Sequence, residues 1–254
     1  MTPFPPDFPG AAIRPSPNFG KRREGRRADT LILHYTGMAT GEAAEDWLCN
    51  PASEVSSHYL VHEDGRIVQM VPEAARAWHA GKGSWKGEED VNSFSIGIEI
   101  VNPGHQLGYR DFPDVQIEAV AELCRNVCLR TPILPQRVLA HSDTAPGRKV
   151  DPGEKFPWKL LAEAGVGHWV DPAPIRGGKV LASGDRGPAV AALQHRLAEY
   201  GYGIETTGVF DSVTMIVVAA FQRHFRPERV DGIADLSTRE TLEKLISALP
   251  KESV

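Results

Sequence analysis

Between His141 and Gly153 the chain packs two potential metal ligands and a candidate buried cation among the loop formers Pro146, Gly147, Pro152 and Gly153. A second histidine, His34, closes the apolar run Leu31-Ile32-Leu33. Two imidazoles and one carboxylate suit a catalytic zinc ion that keeps its fourth position open for water. A single carboxylate cancels only part of the metal charge, so such a site stays electrophilic enough to acidify that water towards neutral pH. The remaining requirement is a base. The run Ile96-Gly97-Ile98-Glu99-Ile100-Val101 sets one carboxylate in an otherwise apolar strand, where a charge is costly unless something pairs with it or uses it.

Elements that could hold these groups are legible on either side. Strand patterns at Thr30 to His34, His58 to His62, Ile67 to Val71, Ser95 to Val101 and Val138 to Ala140 mix with helical patterns around Glu42 to Leu48 and Val115 to Leu129. The mixture predicts an α/β (α+β) domain over residues 29–167, a central mixed sheet flanked by helices with ligands projecting from strand ends into a cleft. Residues 1–28 are punctuated by Pro3, Pro5, Pro6, Pro9, Pro15 and Pro17, which predicts an extended segment without regular structure. Residues 168–179, with Asp171-Pro172-Ala173-Pro174 and Gly177-Gly178, read as a linker that is stiff first and flexible at its end. Beyond it the periodicity becomes helical. Val190, Leu193 and Leu197, then Thr214, Val217, Val218, Phe221 and Phe225, then Leu242, Leu245, Ile246 and Leu249 form three apolar stripes. They predict a small three-helix domain over residues 180–254 that closes its own core.

Composition excludes several classes. A formal net charge of −5 argues against a nucleic-acid surface, and Lys21-Arg22-Arg23 with Arg26-Arg27 reads as a solvated loop. There is no apolar stretch long enough to span a bilayer. Prolines between Met1 and Pro9 interrupt what a signal peptide would need. The expectation is therefore a cytoplasmic protein by default, or one of the cell envelope (periplasm) if exported by another route. Cys49, Cys124 and Cys128 cannot complete a disulfide framework. Helical spacing with Ile117, Val120, Leu123 and Val127 makes Cys124 and Cys128 core-facing residues. Oligomeric state is not legible.

Five segments, taken in order, resemble a known family: Leu33-His34-Tyr35-Thr36, Ser57-His58-Tyr59-Leu60-Val61, Ala77-Trp78-His79-Ala80-Gly81, Ser95-Ile96-Gly97-Ile98-Glu99, and His141-Ser142-Asp143 with Lys149-Val150-Asp151-Pro152-Gly153. They are similar to the zinc N-acetylmuramoyl-L-alanine amidases, and more narrowly to the amidase-2 group that includes a phage-lysozyme type and peptidoglycan recognition proteins. The resemblance implies that His34, His141 and Asp151 hold one Zn2+ ion. It further implies that Glu99 is the general base and Lys149 stabilises the oxyanion, with Lys149 and Asp151 on one side of an extended segment. The alternatives are a Glu99 that orients a ligand and a Lys149 that pairs with Asp143. His58 and His62 read as hydrogen-bonded core or cleft residues. Trp78 and His79 resemble cleft-lining positions, Trp78 serving equally well as packing, while Trp85 and Asn92 in the next loop carry no assignment.

The tail resembles the type 1 peptidoglycan-binding domain through Leu181, Gly184-Asp185-Arg186-Gly187, Leu193-Gln194, Gly201-Tyr202, Gly208-Val209-Phe210-Asp211, Phe221-Gln222 and Asp231-Gly232-Ile233. Thr207 stands where that family usually has an aspartate, which leaves one turn contact open. Together the resemblances imply hydrolysis of the amide between N-acetylmuramic acid and L-alanine in peptidoglycan or muropeptides, with the tail holding the enzyme on the polymer. Two other readings compete: a cytosolic recycling amidase for 1,6-anhydromuropeptides, and a non-catalytic protein that binds or senses peptidoglycan.

Overall fold

A computed structural model describes residues 4–249. In chain order the strands are β1 (Ala12–Ile13), β2 (Phe19–Gly20), β3 (Thr30–Tyr35), β4 (Tyr59–Val61), β5 (Ile67–Gln69), β6 (Arg76–Ala77), β7 (Ser95–Ile100) and β8 (Val138–Ala140). The helices are α1 (Gly41–Leu48), α2 (Val91–Phe94), α3 (Asp114–Arg130), α4 (His141–Thr144), α5 (Trp158–Glu163), α6 (Pro188–Tyr200), α7 (Ser212–Phe225) and α8 (Leu236–Ser247). Six strands form one sheet in the order β1-β5-β4-β7-β3-β8, and β2 pairs with β6 in a separate ribbon. Only β4 and β5 run antiparallel in the larger sheet, so it is mixed.

The central strand β3 is parallel to both neighbours and covered on both faces, which explains why it reads as a near-continuous apolar run. Alternation sends Leu31 and Leu33 to one face, where they meet Ile96, Ile98 and Ile100 of β7 and the buried stripe Ile117, Val120, Leu123, Cys124 and Val127 of α3. Asp114 in the first turn and Arg130 in the last suit the dipole of α3. Gln116 donates through Nε2 to the carbonyls of Val61 and Val101 and so ties α3 to two strand ends. Ile32 faces the other way, as does His34 two residues later.

That second face is not closed by the sheet domain. Ile32, Leu139, Trp85, Val91 and Phe94 share one core with Leu193, Leu197, Tyr200, Tyr202, Phe221 and Phe225 of the three-helix unit. The expectation that the three helices close a core of their own is therefore corrected: the helices also finish the core of the sheet. Trp85 is wholly buried, with Tyr202 edge-on at 5.0 Å. The joining segment is also anchored, since Ala173 N donates to Thr241 Oγ1 at 3.0 Å and Ser237 Oγ donates to the Ala173 carbonyl at 2.5 Å.

The three helices contain an internal repeat. Gln194 Nε2 donates to Thr207 Oγ1, the Val209 carbonyl and Thr214 Oγ1, and Gly208 N donates to Gln194 Oε1. Gln222 does the same with Asp231, Ile233, Thr238 and Gly232. Thr207 thus supplies the turn contact that Asp231 supplies in the second copy, accepting from Val209 N as Asp231 accepts from Ile233 N.

Two expectations for the first thirty residues are also corrected. The proline-rich segment contributes β1 to the large sheet and β2 to the ribbon, because edge pairing needs few residues and no periodicity. Arg22 is not solvated: it is 8% exposed and donates to the carbonyls of Glu73, Asn92, Ser93 and Ser95. Cys124 is buried and Cys128 packs against the same core, as the helical spacing predicts. No described helix is long and apolar enough to cross a membrane.

Candidate active site

His34 ends the buried part of β3, Glu99 lies opposite it in register on β7, and His141 immediately follows β8. Three adjacent parallel strands thus deliver their chemistry at their carboxyl ends, where ligands bind in open α/β sheets. Asp151 arrives from the loop after α4, which is stitched back by Ser142 N donating to the Asp151 carbonyl at 3.0 Å. His34, His141 and Asp151 are all buried, and one ligand atom from each lies within 4.8 Å of the others.

Hydrogen bonds outside this cluster decide which ring nitrogen faces it. His141 Nε2–H donates to the Ala80 carbonyl at 2.9 Å, leaving Nδ1 as a lone pair. Ser95 Oγ donates to the Val91 carbonyl at 2.6 Å and so accepts from His79 Nε2–H at 3.1 Å. His79 Nδ1 is then the acceptor for His34 Nε2–H at 2.9 Å. His34 Nδ1 is left as a second lone pair, 2.8 Å from His141 Nδ1, and Asp151 Oδ2 stands 3.1 Å and 2.9 Å from the two nitrogens. Two lone pairs and a carboxylate oxygen converging without a proton to share repel one another unless a cation lies between them. The donor set of two nitrogens and one oxygen fits zinc.

The electrostatics agree with that assignment of protons. Burial, then the neighbouring His141, lowers the His34 imidazole to about 4, so it is neutral at pH 7. Glu99 behaves oppositely. Burial, followed by the charge of Asp151, raises it well above the ordinary glutamate value, with Lys149 opposing. Its Oε2 is enclosed with no hydrogen-bond partner among the described residues, an unsatisfied state that calls for a proton, a water or a substrate group.

Glu99, Lys149 and the three candidate ligands line one cleft of about 290 Å3, with His79, Tyr35 and His105 along its wall. Lys149 and Asp151 both line the cleft, as do their neighbours Arg148 and Val150. The alternative pairing of Lys149 with Asp143 does not occur: Asp143 Oδ1 accepts from Tyr202 Oη at 2.7 Å, and Oδ2 is 2.6 Å from His224 Nδ1 and accepts from Ala140 N at 2.8 Å. His58 and His62 are buried and hydrogen-bonded away from the candidate ligands, to Gly97 and Ala75 and to Glu45. Trp78 lies beside Gly20 and does not line the cleft. Arg148 escaped the sequence reading. It donates to the carbonyls of Ala80 and Lys82 and lines the same cleft, but backbone acceptors leave no trace in residue types.

Comparison with known proteins agrees with this geometry. The family described as N-acetylmuramoyl-L-alanine amidase matches residues 24–154, and a putative peptidoglycan binding domain matches residues 186–242. N-acetylmuramoyl-L-alanine amidase AmiD of Escherichia coli is 36% identical over 236 residues, covering 87% of this chain and 83% of that protein. Its solved complex with anhydro-N-acetylmuramic acid-L-Ala-D-gamma-Glu-L-Lys superposes with a TM-score of 0.76 at 35% identity, covering 90% of this chain and 92% of that one. AmpDh3 from Pseudomonas aeruginosa, solved with anhydromuramic pentapeptide, gives the same TM-score at 34% identity, with 90% and 95% covered. The chain belongs to the N-acetylmuramoyl-L-alanine amidase family and carries a peptidoglycan-binding module beside its amidase domain.

Proposed function

We propose that this amidase uses His34, His141 and Asp151 to hold one zinc ion, Glu99 as general base and acid, and Lys149 to stabilise the oxyanion. The observation that carries the reading is the convergence of two imidazole lone pairs and a buried carboxylate beside an unpartnered Glu99. When bound, zinc supplies Lewis acidity, making water a nucleophile near neutral pH and polarising the scissile carbonyl. The bond cleaved joins the lactyl carbonyl of N-acetylmuramic acid to the amino group of L-alanine. Glu99 takes a proton from water as its oxygen bonds to the carbonyl carbon. Lys149 faces the oxygen on which negative charge gathers. The carbon–nitrogen bond then breaks, and Glu99 returns the proton to the leaving amine.

The module at residues 180–254 supports action on wall polymer by keeping the cleft near its substrate. Relatives solved with anhydromuropeptides favour a second reading, in which soluble 1,6-anhydro fragments are also cleaved. Retention of all three candidate ligands and the base weighs against a silent binding protein. The test is mass spectrometry of material released from purified sacculi by the zinc-loaded protein. Stem peptides beginning with free L-alanine, absent after chelation, are expected. Release confined to soluble anhydromuropeptides would transfer the assignment to recycling.

A further inference from the structure

One dipeptide serves both imidazoles of the candidate metal site. His79 offers its ring Nδ1 to His34, and Ala80 offers its carbonyl to His141, each at 2.9 Å. The dipeptide is itself held by a single side chain. Asn92 Oδ1 accepts from His79 N at 3.1 Å and from Ala80 N at 2.9 Å, and Asn92 is only 7% exposed. It sits on α2, directly before the strand that carries Glu99.

The His79 ring is fixed on its remaining sides as well. Its Nε2–H is committed to Ser95 Oγ, the first residue of β7. The ring lies against Gly97, where an added Cβ would fall 2.4 Å from His79 Cγ, so only glycine leaves room for it. A chain of defined donors and acceptors therefore runs from the Val91 carbonyl through Ser95 and His79 to the far nitrogen of His34.

Resting on the zinc reading above, we propose that His79 and Asn92 are positioning residues for the metal site. His79 holds His34 in the Nε2–H form with Nδ1 turned to the metal, and Asn92 sets the backbone from which both outer acceptors are presented. Neither side chain needs to touch metal or substrate. Metal-bound histidines gain orientation and basicity from such partners, and losing one typically lowers metal affinity by about 10- to 100-fold.

The experiment is zinc affinity of the full-length protein, measured by competition with a chromophoric chelator, alongside thermal unfolding of the metal-free forms. His79→Leu and Asn92→Ala are expected to weaken zinc binding by about 10- to 100-fold, while His79→Gln and Asn92→Asp, which keep an acceptor oxygen, recover most of the loss. Affinity within about threefold of wild type in both His79→Leu and Asn92→Ala would overturn the inference and leave the zinc reading intact. Wild-type protein that binds no zinc would instead overturn the reading on which it rests. Should a variant fail to fold, nitrogen-15 NMR of the zinc-loaded wild type decides. A His34 ring protonated at Nε2 is expected, and one protonated at Nδ1 would contradict the inference.

Discussion

Asp151, His34 and His141 could be picked out as residue types because few side chains ligate zinc, and Glu99 because a carboxylate in an apolar strand is conspicuous. The partners that orient them could not. Ala80 acts through its carbonyl and Asn92 through a contact with two backbone amides, and neither role has a signature in one sequence. His58 is a buried histidine of another kind, hydrogen-bonded away from the candidate ligands. Gly97 N donates to its Nδ1 at 2.9 Å, so the proton sits on Nε2 and points to the Ala75 carbonyl at 3.2 Å. Burial, then the Arg22 charge, lowers this imidazole to about 3 against an ordinary value of 6.5. Because the folded form is the one that resists protonation, its stabilising contribution is complete above pH 6.5 and is lost as pH falls towards 3. Unfolding free energy should fall through that window by up to about 1.4 kcal/mol per pH unit from this group. Denaturant titrations of wild type and His58→Asn across the window test it; identical pH slopes would remove His58 as the source.

At the scale of elements, apolar runs marked β3, β7 and β8, which are buried along most of their length, and period-3.6 patterns marked α1 and α3, which bury one face. They could not mark β1 or β2, whose existence depends on partners Ile67–Gln69 and Arg76–Ala77. Register does the functional work. His34 pairs with Glu99 across β3 and β7, so the proposed ligand and the proposed base leave the sheet on the same face. Two residues earlier on that face, Gly97 admits the His79 ring. Gly97→Ala should therefore destabilise the protein by about 1–3 kcal/mol through overpacking, and weaken zinc binding with it. Unchanged thermal stability and zinc affinity would show that the ring is free to move aside.

Across the whole molecule, the separation of amidase and wall-binding parts was legible from the change in periodicity, but their fusion into one core was not. Leu193 or Phe221 reads the same whether it faces its own helices or Trp85 and Ile32 of the sheet. The buried carboxylate of Asp143, two residues after His141, depends on Tyr202 and His224 of the helical module. His224 is also stacked on Trp158 at 3.7 Å. Removal of residues 180–254 should thus do more than weaken attachment to sacculi. It uncovers Trp85 and Phe94 and strips Asp143 of two partners, so the truncated amidase should unfold at lower temperature and cleave even small muropeptides poorly. Tyr202→Phe, which leaves one Asp143 oxygen without its donor, should cost about 1–3 kcal/mol. A truncated protein with unaltered thermal stability and unaltered turnover of a soluble muropeptide would restore the picture of a tethered, independent module.

The central claim is that three residues hold the metal while a fourth moves the proton. Paired measurement of bound zinc and single-turnover cleavage of a muropeptide in Glu99→Gln and His141→Ala tests it most directly. Glu99→Gln should retain one zinc per chain and lose about 10²- to 10⁴-fold in the cleavage rate, whereas His141→Ala should lose both metal and cleavage. Undiminished cleavage by Glu99→Gln, or zinc-dependent turnover by His141→Ala, would contradict the account.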